Sequence, residues 1–345
     1  MRITRPLTVA VLLAGLLLTG CTGGSDPGGS QAPATPTTGP WPLTGLPGYP
    51  DDADEPVVVV KVDDTAAGRP QVGIGSADLV VQELVEGGLT RLAAMYHSDY
   101  PDTVEPVRSV RVSDVGIVLP TGGTVVASGG EATTVRTVEA AGVPTITEDA
   151  GDDGFSRNSS RRIPFNLEAD VAGIVASLPA SRPPAPYLPF GDVPDDAAGD
   201  PAAGLDLRWP AARSRFGWDP ETQLWTRTDL ADPSDFAFTT VIALTLPVRF
   251  DGQTDSSGSL IPTLVTEGSG AGTIATGDRA FEVRWSKSAA GAPWTFTYDP
   301  VPGAGEEGTP AAQPFLIPPG RVWLALLPDE GGSVAVQSPK PSASP

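Results

Sequence analysis

Apolar positions along this chain change their rhythm three times. From Leu7 to Leu18 nearly every residue is apolar, and Leu18-Thr19-Gly20-Cys21 closes the run. That length falls short of the roughly 20 residues a membrane-spanning helix needs. Behind Arg2 and Arg5 it has the layout of a secretory signal over residues 1–20. In the first half of the remaining chain, short apolar runs alternate with helical spacing. Residues 56–62 (Pro-Val-Val-Val-Val-Lys-Val) form a continuous β-branched run, the pattern of a strand buried on both faces. Residues 79–85 and 89–97 predict two more strands, joined by a tight turn at Glu86-Gly87-Gly88. Ser109 is placed to cap a helix with Val112, Val115, Gly116 and Leu119 on one face. Residues 124–127 predict a strand and 131–141 a helix, and Asn166 is placed to cap a helix bearing Leu167, Val171, Ile174, Val175 and Leu178.

The second half has a different period. Residues 223–228, 239–250, 260–267, 280–287, 294–298 and 321–327 are short strand patterns separated by Gly, Pro and Asp. Six of the seven tryptophans lie here, from Trp209 onward, each isolated in its strand, which fits a packed core better than a carbohydrate platform. The predicted class is α+β: a mixed α/β N-terminal domain over residues 49–180, a linker at 181–205, and a mostly antiparallel β domain, sandwich or barrel, at 206–328. Residues 21–48 and 329–345 are rich in Gly, Ser, Pro and Thr and poor in apolar side chains, so they read as a flexible tether and a disordered tail. Some 25 tether residues give a root-mean-square reach of about 25 to 30 Å.

Composition narrows the chemistry. Lys and Arg number 22 against 42 Asp and Glu, a formal net charge of −20, which repels nucleic acid and argues against it as a partner. Cys21 is the only cysteine, so no intramolecular disulfide and no multi-thiolate metal site can form. It sits where a bacterial lipobox places the residue that receives a lipid. That predicts anchoring at the outer face of the cytoplasmic membrane. His97 is the only histidine, follows Met95 and Tyr96, and reads as a surface or strand-end residue. No phosphate loop or nucleophile motif is present, and no metal or cofactor is expected. An oxygen-ligand site for Ca²⁺ or Mg²⁺ stays open at Asp63-Asp64 and at Asp149 with Asp152-Asp153, against the plainer reading of these as solvated acidic loops.

Arginine stands out against the acidic background. Arg69, Arg91, Arg108, Arg111, Arg157, Arg161 and Arg162 all fall in the first half. Arg108 and Arg111 bracket the predicted start of the Ser109 helix, where the helix dipole disfavours cations unless a carboxylate or a bound anion compensates. A guanidinium fork suits phosphate or carboxylate. The competing reading pairs these arginines with Glu83, Glu86 or Asp114.

The blocks Gly68-Arg69-Pro70-Gln71-Val72-Gly73, Val85-Glu86-Gly87-Gly88-Leu89-Thr90-Arg91, Glu105-Pro106-Val107-Arg108-Ser109-Val110-Arg111 and Arg162-Ile163-Pro164-Phe165-Asn166-Leu167 resemble the N-terminal domain of YerB-like lipoproteins. Gly268-Ser269-Gly270, Trp285-Ser286-Lys287 and Pro319-Gly320-Arg321-Val322-Trp323 resemble that family's C-terminal domain. Phe165 stands where the family resemblance leads one to expect histidine, and Ser128 where histidine or serine is usual. The resemblance implies two domains and a lipid anchor, but no established reaction. The resulting expectation is an envelope binding or accessory protein. Arg91, Arg108 and Arg111 would take an anionic group, oriented by Glu83 and Glu86, with Asp63, Asp64, Arg69 and Asn166 as weaker candidates. The anion would belong to a cell-wall polymer or a lipid-linked precursor. Two alternatives stay open: an envelope enzyme using carboxylates on phosphoryl or glycosyl bonds, and a scaffold recruiting a membrane-bound protein.

Overall fold

The computed structural model describes residues 38–50, 53–255, 258–300 and 311–340. The signal segment, Cys21 and most of the expected tether lie outside the described residues. The run at 56–62 becomes the strand Val58–Asp63, and Val58, Val59, Val60 and Val62 are wholly buried. It pairs antiparallel with Thr90–Tyr96 and parallel with Thr124–Ala127. Thr90–Tyr96 in turn pairs antiparallel with Leu79–Leu84 through the turn Glu86–Gly88, where Gly87 and Gly88 both adopt positive φ. Only glycine holds two successive left-handed residues without Cβ strain.

These strands belong to one 12-stranded open sheet. Its order runs Thr145–Thr147, Thr124–Ala127, Val58–Asp63, Thr90–Tyr96, Leu79–Leu84, Val322–Pro328, Thr240–Leu246, Gly268–Thr276, Arg279–Lys287, Thr295–Tyr298 and Gln313–Pro314, with Gly199–Pro201 on a side branch against Arg279–Lys287. Val322–Pro328 lies between the two halves of the chain, parallel to both Leu79–Leu84 and Thr240–Leu246. A second, five-stranded antiparallel sheet (Gly204–Arg208, Arg213–Asp219, Leu224–Arg227, Ala237–Phe238, Ser333–Gln337) packs on the first. Trp323 meets the rings of Phe216, Phe236 and Phe238 there, at centroid distances of 5.3 to 6.2 Å. Among the described residues the α-helices are few and short: Asp114–Val118, Ala132–Ala140 and Val171–Ser177. The molecule is mostly β, built of several sheets.

Several expectations need correction. The helix expected at Ser109 starts at Asp114, because Val107, Arg108 and Val110 give their N–H groups to carbonyls outside the segment. Arg108 N donates to Lys61 O at 2.8 Å and Val110 N to Gly129 O at 2.9 Å. Asn166 caps no helix. Leu167–Ala169 is a strand, and Asp170 caps Val171–Ser177 by accepting from Gly173 N. The expected tail at 329–345 contains the strand Ser333–Gln337, paired with Gly204–Arg208. The expected tether at 21–48 overlaps the paired strands Thr38–Pro40 and Pro47–Pro50, with Leu43 and Thr44 buried between them. The linker at 181–205 is packed, with Tyr187 buried and donating to Ile117 O at 3.1 Å. Of the six later tryptophans, Trp209, Trp225, Trp285, Trp294 and Trp323 are buried in the core.

Candidate functional site

Side chains alternate across a strand. Lys61 and Asp63 therefore share one face of the sheet with Glu83 and Arg91, which lie opposite one another on neighbouring strands. The segment carrying Arg108 and Arg111 crosses this face, and Asp114 follows it. Together they build a cleft of about 620 Å³ lined by Arg91, Arg108, Arg111, Asp63, Glu86 and Leu89 among others, with Glu131, Asp149 and Asp255 at its walls. The sequence scattered the three arginines over twenty residues, and the sheet brings them together.

Their states differ. Arg111 is clamped by Glu86, with Nε 2.6 Å from Oε1 and Nη2 donating to Oε2 at 2.7 Å. Its own backbone N–H donates to Asp114 Oδ2 at 2.7 Å. Arg108 Nε lies 3.1 Å from Asp63 Oδ2, its Nη1 donates to Pro164 O at 3.3 Å, and its guanidinium sits 5.6 Å from the centre of the Phe165 ring. Arg91 donates through Nη1 to Ser109 O at 2.9 Å, and among the described residues it has no carboxylate within ion-pair distance. Burial, first, and then the neighbouring charges of Arg111 and Arg108 push its pKa down to about 9.

Behind the cleft lies a buried triad that the sequence reading did not single out. Lys61 Nζ touches Glu83 Oε1 and donates to Asp114 Oδ1 at 2.5 Å, with all three side chains fully buried. Glu83 contacts Lys61 rather than orienting an arginine, and its second oxygen has no hydrogen-bond partner. Burial pushes its pKa up to about 7 against the pull of Lys61. Lys61 in an otherwise apolar run is the one local signal for the triad.

The weaker candidates go elsewhere. Asp63 faces the cleft, but Asp64 turns to the other side of the sheet. There it accepts from Arg227 Nη1, Gln82 Nε2 and Thr90 Oγ1, each at 2.7 Å. Arg227 is fully buried, pairs also with Asp229 at 3.1 Å, and sits over Trp323 and Phe236. Arg69 Nη2 reaches Asp229 at 3.3 Å on that same side. Asn166 is buried and accepts from Arg157 Nη1 at 3.1 Å, outside the cleft lining. His97 does follow a strand, but it is buried against Trp41 and Tyr49, with ring centres 5.2 Å away in each case.

The chain matches the family model "Protein of unknown function (DUF3048) N-terminal domain" over residues 43–183 and the corresponding C-terminal domain model over residues 205–324. It is 43% identical over 70 residues to YerB of Bacillus subtilis (strain 168), a protein named as a lipoprotein. That match spans about a fifth of each chain, 20% of this one and 21% of YerB. The crystal structure of YerB protein from Bacillus subtilis shares the fold with a TM-score of 0.66 at 21% identity, covering 86% of this chain and 99% of that one. From these matches, the chain belongs to the YerB-like DUF3048 family of two-domain proteins.

Proposed function

We propose that this protein is a lipid-anchored binding protein of the cell envelope, and that its arginine cleft takes an anionic group. The observation that supports this is Arg91: a buried guanidinium with no carboxylate partner, between two arginines that already have theirs. Three like charges share the cleft, two of them offset by Asp63 and Glu86, and a bound phosphate or carboxylate would use the open donors of Arg91. Asp63 and Glu86 hold Arg108 and Arg111 in place and are therefore occupied, which favours binding over acid/base chemistry. Phosphates of wall polymers, lipid-linked precursors and carboxylates of peptidoglycan carry the required chemistry. The lipoprotein name of YerB and the signal-like segment ending at Cys21 support an anchor at the outer face of the cytoplasmic membrane. Acyl-chain labelling that persists in Cys21→Ala would remove that anchor.

The test is calorimetric titration of inorganic phosphate and of phosphate-bearing wall-polymer fragments into wild type and Arg91→Gln. Binding by wild type, weakened about tenfold or more in the variant, is the expected result. Equal affinities would take Arg91 out of the site.

A further inference from the structure

A groove of about 540 Å³ lies beside the arginine cleft, and Val85 lines both. Its walls are apolar: Val85, Val248, Phe250, Leu260 and Pro262 among them. Phe250 and Leu260 are 57% and 51% exposed, two of the few large apolar side chains left open on the described surface. Both belong to the paired strands Val248–Thr254 and Leu260–Leu264. Alternation along the second strand sends Ile261 to the arginine cleft and Leu260 and Pro262 to the groove, so this strand pair walls both cavities. On the cleft side, Leu89, 39% exposed, carries the apolar path from Arg91 toward Val85.

Charge fixes the direction in which a ligand would lie. Asp329 and Glu330 close one rim of the groove, while the arginines occupy the neighbouring cleft. An anion is repelled at that rim, and within the cleft it is drawn to Arg91, which has no carboxylate in ion-pair distance among the described residues, rather than to the walls where Glu131, Asp149 and Asp255 stand. We infer that the ligand is an anionic amphiphile: a phosphate or similar head beside Arg91, and an alkyl or prenyl chain laid past Val85 along Phe250 and Leu260. This rests on the anion reading above and adds the chemistry of the ligand's other end.

A homologous series separates the two ideas. Ethyl, butyl, hexyl and octyl phosphate are titrated into the protein, with octanol as the headless control. Affinity should rise by about fourfold for each methylene that enters the groove. The double variant Phe250→Ser, Leu260→Ser should cut the octyl-to-ethyl affinity ratio about tenfold or more, and octanol should bind far more weakly than octyl phosphate. A flat series in which ethyl phosphate still binds overturns the tail and leaves the anion site standing. Failure of every phosphate to bind removes both. Octanol binding as tightly as octyl phosphate overturns the amphiphile, because the head then contributes nothing. A wild-type dimer by sedimentation that the double variant dissolves would assign the groove to a second copy of this chain and overturn the proposal.

Discussion

On one face of the central strands, Arg227 is surrounded by Asp64, Asp229 and two aromatic rings. On the other face, Arg91 has one carbonyl partner among the described residues, and the nearby charges of Arg111 and Arg108 outweigh those of Glu86 and Glu83. The two guanidiniums are similarly deep, so burial alone does not distinguish them. Partnership does. The environment of Arg227 raises its pKa despite the desolvation that opposes it, whereas Arg91 is pushed down. A buried charge with matched partners holds two sheets in register, and one without them is a candidate contact for something outside the chain.

The largest effect should come from breaking the paired face. Arg227→Met leaves Asp64 buried without its cation and Asp229 with the longer ion pair to Arg69, and should cost about 3 to 5 kcal/mol in denaturant unfolding. A loss below about 1 kcal/mol would erase the contrast between the faces.

Next comes the pH dependence of the cleft face. The folded-state pKa of Glu83, about 7, lies above its ordinary value of 4.5. Its contribution is fully present below pH 4.5 and is lost as pH rises through 7, on the order of 1.4 kcal/mol per unit of displacement. The stability difference between wild type and Glu83→Gln should therefore change across that window. Asp229, whose pKa is depressed chiefly by Arg227, contributes above its ordinary 3.8 and is lost only in stronger acid. Unfolding curves from pH 3 to 8 that show one common window would contradict this separation.

Arg91→Gln should move stability by less than about 1 kcal/mol, and upward if at all. The depressed pKa of Arg91 makes its charge a cost at neutral pH, a contribution that would be favourable only above the ordinary 12.5. A loss of more than about 2 kcal/mol would show that Arg91 is structural. Smallest of all, Arg208→Ala removes an exposed contact to Asp206, which keeps Arg213, and should cost roughly 0.5 kcal/mol or less, which sets the baseline for the other three.

What the sequence disclosed follows the same division between local and distant causes. The β-branched run at 56–62 and the Glu-Gly-Gly turn announced themselves, because burial and positive φ impose residue types directly. The strand Gly268–Thr276 did not, since Gly-Ser-Gly-Ala-Gly carries no β signal. Its small residues are there for a neighbour: a Cβ on Gly270 would come within 2.6 Å of Trp285 Nε1. Helical spacing at Ser109 cannot show that the N–H groups of Arg108 and Val110 go to the carbonyls of Lys61 and Gly129. For the site, the arginines were legible as a group and their partners were not. Asp63 and Asp64 are adjacent in sequence yet turn to opposite faces, a fact that only strand register decides. The sequence places Glu83 nearest to arginines, whereas the cation it contacts is Lys61, on a strand two positions across the sheet.

The strand Val322–Pro328 has a consequence for how the chain can be handled and made. It supplies the neighbour of Leu79–Leu84, although Val322 and Leu79 lie more than two hundred residues apart. Until that late segment is in place, Leu-Val-Val-Gln-Glu-Leu presents an open hydrophobic edge, the kind that recruits other chains into aggregates. Pairing across so long a loop is also slow, which lengthens the time the edge stays open. The N-terminal half expressed alone would therefore be a sticky fragment rather than a small protein. A truncation that stops before residue 322 would remove the seam of the molecule and not merely its end.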